Sequence, residues 1–139
     1  MQKKPRNFPN SAPGNTLKIP PIAKNTGQYA EDLACAHLLL RGLTLLQRNY
    51  RCGRGEIDLI MKDNSYLVFI EVRYRATPRY GSGAESITPQ KRTKLIATAL
   101  HFLQSTNKYD RYPSRFDVIS VSDESGQKKI EWIQDAFQA

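Results

Sequence analysis

Three carboxylates stand close together near the middle of the chain: Glu56 and Asp58, then Glu71 a little further on. Basic residues crowd both sides of them. Arg41, Arg48, Arg51 and Arg54 form one cluster; Arg73, Arg75, Arg79, Lys91, Arg92 and Lys94 form another, relieved only by Glu85. Carboxylate oxygens hold hard divalent cations such as Mg²⁺ or Mn²⁺, and Lys and Arg hold phosphate. Acids set within basic flanks are what a metal-dependent phosphodiesterase needs, although most such charges, taken singly, are solvated surface groups.

The elements that must position these residues follow from hydrophobic periodicity and breaker residues. Asn25 with Gln28 fits a capping box. Ala30, Leu33, Ala34, His37 and Leu38 then recur at helical spacing. Gly42 is a plausible stop, so the spacing predicts a helix from Gly27 to Arg41. Glu31 and Asp32 are expected in its first turn, where the helix dipole favours acids. Leu43 to Tyr50 is β-prone, and residues 51–55 are expected as a loop. Glu56 to Lys62 and Leu67 to Arg75 are expected strands around a turn at Asp63, Asn64 and Ser65. Residues 76–87 are an expected loop, in which Tyr80 and Gly81-Ser82-Gly83, beside Tyr74 and Arg75, would make a lip gripping nucleic acid. Thr88-Pro89 opens a second helix, with Lys91 in its first turn near a helix end that attracts phosphate. Ser114 to Val121 and Lys128 to Ile133 complete the strands, giving the order α-β-β-β-α-β-β.

The turn at Asn64 and Ser65 sets a testable register. If Asp63 faces Tyr66, then Met61 faces Val68, Leu59 faces Ile70 and Ile57 faces Val72, all apolar on one side. On the other side Ile60 meets Phe69, Asp58 meets Glu71 and Glu56 meets Arg73. Like charges opposite each other destabilise a ladder, so Asp58 and Glu71 call for compensation by a bound cation, a neighbouring arginine or a shared proton. A divalent metal is the most economical answer; Arg54 or Arg73 neutralising the acids is another.

Composition sets the outer bounds. The 139 residues suit one core, and 40% hydrophobic with 24% charged is ordinary for a globular domain. No apolar run approaches the roughly 18 residues a membrane span needs. No secretory signal is recognisable, so cytoplasm is the expected compartment. Cys35 and Cys52, with His37 and His101, do not make a zinc set. The net charge of +8 favours polyanionic partners. Residues 1–24 hold five prolines, five basic residues and no acid, and are expected to be a disordered basic arm before a domain spanning 25–139. Trp132 and Phe137 are expected to pack, and Asp117 to be structural, as an ion-pair partner.

Gly55-Glu56-Ile57-Asp58-Leu59-Ile60, a hairpin, and Val68-Phe69-Ile70-Glu71-Val72-Arg73-Tyr74-Arg75 together resemble the YraN-like family of bacterial proteins. Gly27-Gln28-Tyr29-Ala30-Glu31, Lys91 and Arg115-Phe116-Asp117-Val118 extend the resemblance from about Gly27 to Phe137. The family is similar to archaeal Holliday junction resolvases and to PD-(D/E)XK nucleases. That resemblance implies an α/β restriction-endonuclease-like core, a central mixed sheet flanked by helices. It implies Asp58 and Glu71 as Mg²⁺ or Mn²⁺ ligands, with Glu31 completing the site. Asp58, Glu71 and Arg73 become the expected catalytic residues, and Arg54, Arg75, Lys91 and Arg92 the expected nucleic-acid contacts. DNA, branched or otherwise structured, is the implied substrate, with a homodimer as the implied assembly. Arg73 departs from the pattern, which has lysine there. Arginine donates well to phosphate but does not act as a base. Two other functions therefore stand beside the endonuclease: a nucleic-acid-binding module that has lost cleavage, and a basic adaptor for an acidic protein.

Overall fold

The computed structural model describes residues 26–75, 87–109 and 111–139. The expected arm, the capping residue Asn25 and the lip at 80–83 lie outside them. The elements are α1 (Thr26–Leu40), β1 (Thr44–Cys52), β2 (Gly55–Asp63), β3 (Tyr66–Arg75), α2 (Pro89–Thr106), β4 (Ser114–Glu124) and β5 (Gln127–Phe137), in the expected order. One five-stranded sheet runs β1-β2-β3-β4-β5. Only β3 and β4 are parallel, joined across the sheet by α2; the other neighbours are antiparallel. The fold is α/β, a mixed sheet with one helix on each face. Among the described residues no helix is long and apolar enough to cross a membrane.

Burial on both faces explains the strand sequences. Ala30, Ala34 and Leu38 of α1 pack on Leu59, Met61, Val68, Ile70, Ile119 and Val121. Leu95, Ala99 and Phe102 of α2 pack on Ile57, Ile60, Leu67, Phe69, Phe116 and Val118. A strand covered on both sides reads as a continuous apolar run, as Leu67 to Ile70 does. Phe137 packs as expected, stacked on Phe116 at 4.8 Å between centroids, and Trp132 lies partly buried on the α1 side.

The helix ends are chemically specified. Thr88 caps α2 by accepting the Lys91 N–H at 3.1 Å, Pro89 begins the helix, and Asn107 ends it in the left-handed region. Gly42, at φ +95°, lets the chain leave α1 with the Leu43 N–H bonded to the Leu38 carbonyl. Because α1 starts at Thr26, Glu31 and Asp32 fall beyond its first turn, contrary to the sequence reading. The dipole, which acts mainly within that turn, does not account for Glu31.

The hairpin register holds for five pairs, Asp63–Tyr66 to Leu59–Ile70, and its ladder ends there. The expected pairs Ile57–Val72, Asp58–Glu71 and Glu56–Arg73 are not part of it. Ile57 packs on the α2 side, although Leu59 and Met61 pack on the α1 side. β1 reverses in the same place. Arg48 reaches α1, Tyr50 packs edge-on against Phe102 of α2, and Asn49 between them has φ +53°. A left-handed residue breaks the alternation of side chains, and both strands change sides around Asn49 and Asp58.

Candidate functional site

The side reversal gathers three acids. Glu31 of α1 and Glu56 and Asp58 of β2 each offer a carboxylate oxygen, and these oxygens lie within 4.8 Å of one another. Asp58 accepts the Val72 N–H at 2.8 Å, so its carboxylate serves a backbone donor where the ladder has ended. Glu31 accepts from Asn49 Nδ2 at 2.8 Å, and Arg48 lies 3.5 Å from the same oxygen while holding Asp32 at 2.8 Å. Glu56 is exposed, with Arg51 3.5 Å away.

Burial pushes the Asp58 carboxyl up to about 8; the Glu71 charge adds to this, as do Glu31 and Glu56, against the Val72 N–H. An acid so placed holds its proton near neutrality, because burial and the neighbouring acids both disfavour its charged form. Converging carboxylates whose charges oppose ionisation fit a hard divalent cation, which takes oxygen ligands and relieves their repulsion. Glu31, Glu56 and Asp58 thus have the donor set and spacing to hold one.

Glu71 stands apart from this trio. Only 6% exposed, it bonds Lys91 Nζ at 2.9 Å and has Arg73 Nη1 at 3.6 Å. Its charge remains the largest electrostatic influence on Asp58. Gly55 lets α2 come this close. A Cβ there would sit 3.0 Å from Thr98 Oγ1 and 3.8 Å from Lys94 Cβ. Two open clefts meet at Glu56. One, about 480 Å³, is lined by Gln28, Glu31, Arg48, Asn49 and Arg51; the other, about 360 Å³, by Thr88, Gln90, Lys91 and Lys94.

The remaining sequence-predicted residues are not among those lining the two clefts. Arg54 is exposed on the two-residue turn between β1 and β2, where a longer loop was expected. Arg75 ends β3 and is half-buried. Arg92 lies over the Phe137 ring at 5.6 Å, with its Nε buried and unbonded, so its guanidinium is used in packing. Asp117 is 1% exposed and wholly bonded, to Arg115 at 3.0 Å, Trp132 Nε1 at 2.9 Å and the Asp135 N–H at 2.9 Å. It is the structural ion-pair partner the sequence suggested. Sequence reasoning gave Glu56 no ligand role and passed over Asn49. The available signal was an asparagine, tolerant of positive φ, inside a β-prone run just before Arg51 and the glycines.

The sequence matches a known family. Residues 30–121 match the one described as "Uncharacterised protein family UPF0102". A UPF0102 protein of Nitrosococcus oceani is 51% identical over 119 residues, covering 86% of this chain and 96% of its own. UPF0102 proteins of Pseudomonas paraeruginosa (44% identical; 84% of this chain, 95% of theirs) and Legionella pneumophila (45%; 85% and 98%) are also similar. Among solved structures, Pyrococcus furiosus SfsA in complex with Ca²⁺ aligns at a TM-score of 0.31 and 14% identity, over 78% of this chain and 62% of that one. That alignment is too loose to carry an argument. The sequence matches are not, and the chain belongs to the UPF0102, or YraN-like, family.

Proposed function

We propose that this protein is a divalent-metal-dependent endonuclease acting on DNA phosphodiesters. The observation that carries the reading is the convergence of Glu31, Glu56 and Asp58 between two clefts with cationic walls. These three acids would hold Mg²⁺ or Mn²⁺, with Glu71 beside them. A divalent ion there would draw charge from a phosphate oxygen and make water a better nucleophile.

The chain's own groups supply the rest. Lys91 and Arg73 converge on Glu71, at 2.9 and 3.6 Å. Arg73 suits the two non-bridging oxygens of a phosphate through two parallel N–H bonds, and Lys91 suits the phosphate as a point charge. Both would stabilise negative charge as it grows during in-line attack. Arg51 and Lys94 in the two cleft walls, and Arg54 on the adjoining turn, would hold the flanking phosphates.

The test is cleavage of linear, flapped and branched DNA with Mg²⁺ or Mn²⁺. Wild type should cut, Lys91→Ala should cut about 10²-fold more slowly, and Asp58→Ala should not cut measurably. Metal-dependent cutting that survives Asp58→Ala unchanged refutes the site. A second reading, a binding module without cleavage, is favoured by Arg73 standing where related nucleases carry lysine. It requires metal-independent DNA binding and no cutting with either ion.

A further inference from the structure

Resting on the metal reading above, we propose that Asn49 is a positioning residue of the centre, holding the Glu31 carboxylate in place for the cation. Three observations point to it. Its side-chain amide donates to Glu31 Oε1 at 2.8 Å. It stands across from Asp58, since its neighbours pair as Arg48–Leu59 and Tyr50–Ile57. Its backbone is left-handed, at φ +53°, in the middle of a strand. Only glycine adopts that conformation freely, and asparagine is among the few side chains that tolerate it.

The conformation is what lets the amide reach α1. With regular alternation, consecutive residues point to opposite faces; here Arg48 and Asn49 both reach acids of α1. Glu31 is a long side chain among like charges, and unrestrained it would swing towards solvent. Arg48 does not hold it alone, being committed at 2.8 Å to Asp32 and 3.5 Å from Glu31. An amide is the better restraint for a ligand. It is neutral, so it orients one oxygen without competing with a cation for the carboxylate's charge. Partners that orient ligands in this way typically change metal affinity about 10–100-fold when removed.

Asn49→Gly separates the side chain from the backbone, because glycine keeps the left-handed conformation at no cost. Mn²⁺ binding should be measured by calorimetry or electron paramagnetic resonance, with the Tm of the metal-free protein. Wild type should bind. Asn49→Gly should bind about 10–100-fold more weakly with its metal-free Tm preserved or raised. In a Glu31→Gln background the same change should weaken binding no further, because the amide acts through Glu31. Wild-type-like binding by Asn49→Gly overturns the positioning role and leaves the metal reading standing. Wild type that does not bind Mn²⁺ removes the metal reading itself. Should Asn49→Gly not fold, wild type decides by nuclear magnetic resonance. Mg²⁺ should shift the Asn49 side-chain amide signals; signals that stay fixed while others near Asp58 move overturn the inference.

Discussion

At the residue scale, Asp58 answers to two demands. It must accept the Val72 N–H at 2.8 Å, and it must share space with Glu31, Glu56 and Glu71. Its carboxyl is raised from 3.8 to about 8, so the folded chain binds its proton more tightly than the unfolded chain does. The contribution to stability is therefore full below about pH 3.8 and is lost as pH rises towards about 8. In the metal-free protein, Tm should fall between pH 5 and pH 8, with a slope no steeper than about 1.4 kcal/mol per unit from this group. Asp58→Asn keeps an oxygen for Val72 and removes the ionisation, so its Tm should change less across that window. Mg²⁺ should stabilise wild type more at pH 8 than at pH 6. A wild-type profile matching that of Asp58→Asn would show that neither burial nor the neighbouring acids raise the Asp58 carboxyl. Asp58 and Glu71 were legible as a charge problem from sequence; that Lys91 faces Glu71 was not. Their contact spans the chain from β3 to α2, and no local pattern encodes it.

At the scale of elements, what period-two patterning fails to encode is the change of side at Asn49 and Asp58. Both faces of the sheet are covered by helices, so Ile57 is equally buried on either, and alternation has no power to choose. The hairpin at Asn64 was legible because turn chemistry and apolar pairing agree there. The last strand runs past its expected end at Ile133 to Phe137, because Asp117 takes the Asp135 N–H and Phe137 stacks on Phe116. Those partners lie too far away in sequence to be foreseen. Asp117→Ala would leave the Trp132 and Asp135 N–H groups unbonded and Arg115 with Asp63 alone, and should cost about 1–3 kcal/mol for each donor left unbonded in urea denaturation. Gly55 tests the contact that sets α2 beside the acids. Alanine at φ +152° is strained, and its Cβ would meet Thr98 Oγ1, itself pinned to the Lys94 carbonyl at 2.7 Å. Gly55→Ala should cost about 2–3 kcal/mol, and adding Thr98→Ala should recover the steric share but not the backbone share. Full stability of the single variant would mean that α2 is free to move away from β2.

At the scale of the whole molecule, net charge is a weaker guide than its placement. Of the +8, residues 1–24 carry five positive charges and no negative ones, which leaves +3 for residues 25–139. Several cations among the described residues already face carboxylates. Arg48 is held by Asp32, Arg73 and Lys91 by Glu71, and Arg115 by Asp63 and Asp117. Arg54 and Lys94 are exposed and form no ion pair among the described residues; Arg54 stands on the turn just before Glu56, and Lys94 lines the second cleft. If DNA crosses the two clefts, these two should touch phosphate. Each phosphate contact adds about −0.9 to the slope of log affinity against log salt concentration. Arg54→Ala with Lys94→Ala should then flatten the slope by about 2 and weaken all sequences alike. Changing the five basic residues before position 25 to glutamine should lower affinity as well, but should leave the double variant's slope change intact. An unchanged slope in the double variant would place the DNA elsewhere on the surface, because counterions are released only where cations and phosphates meet.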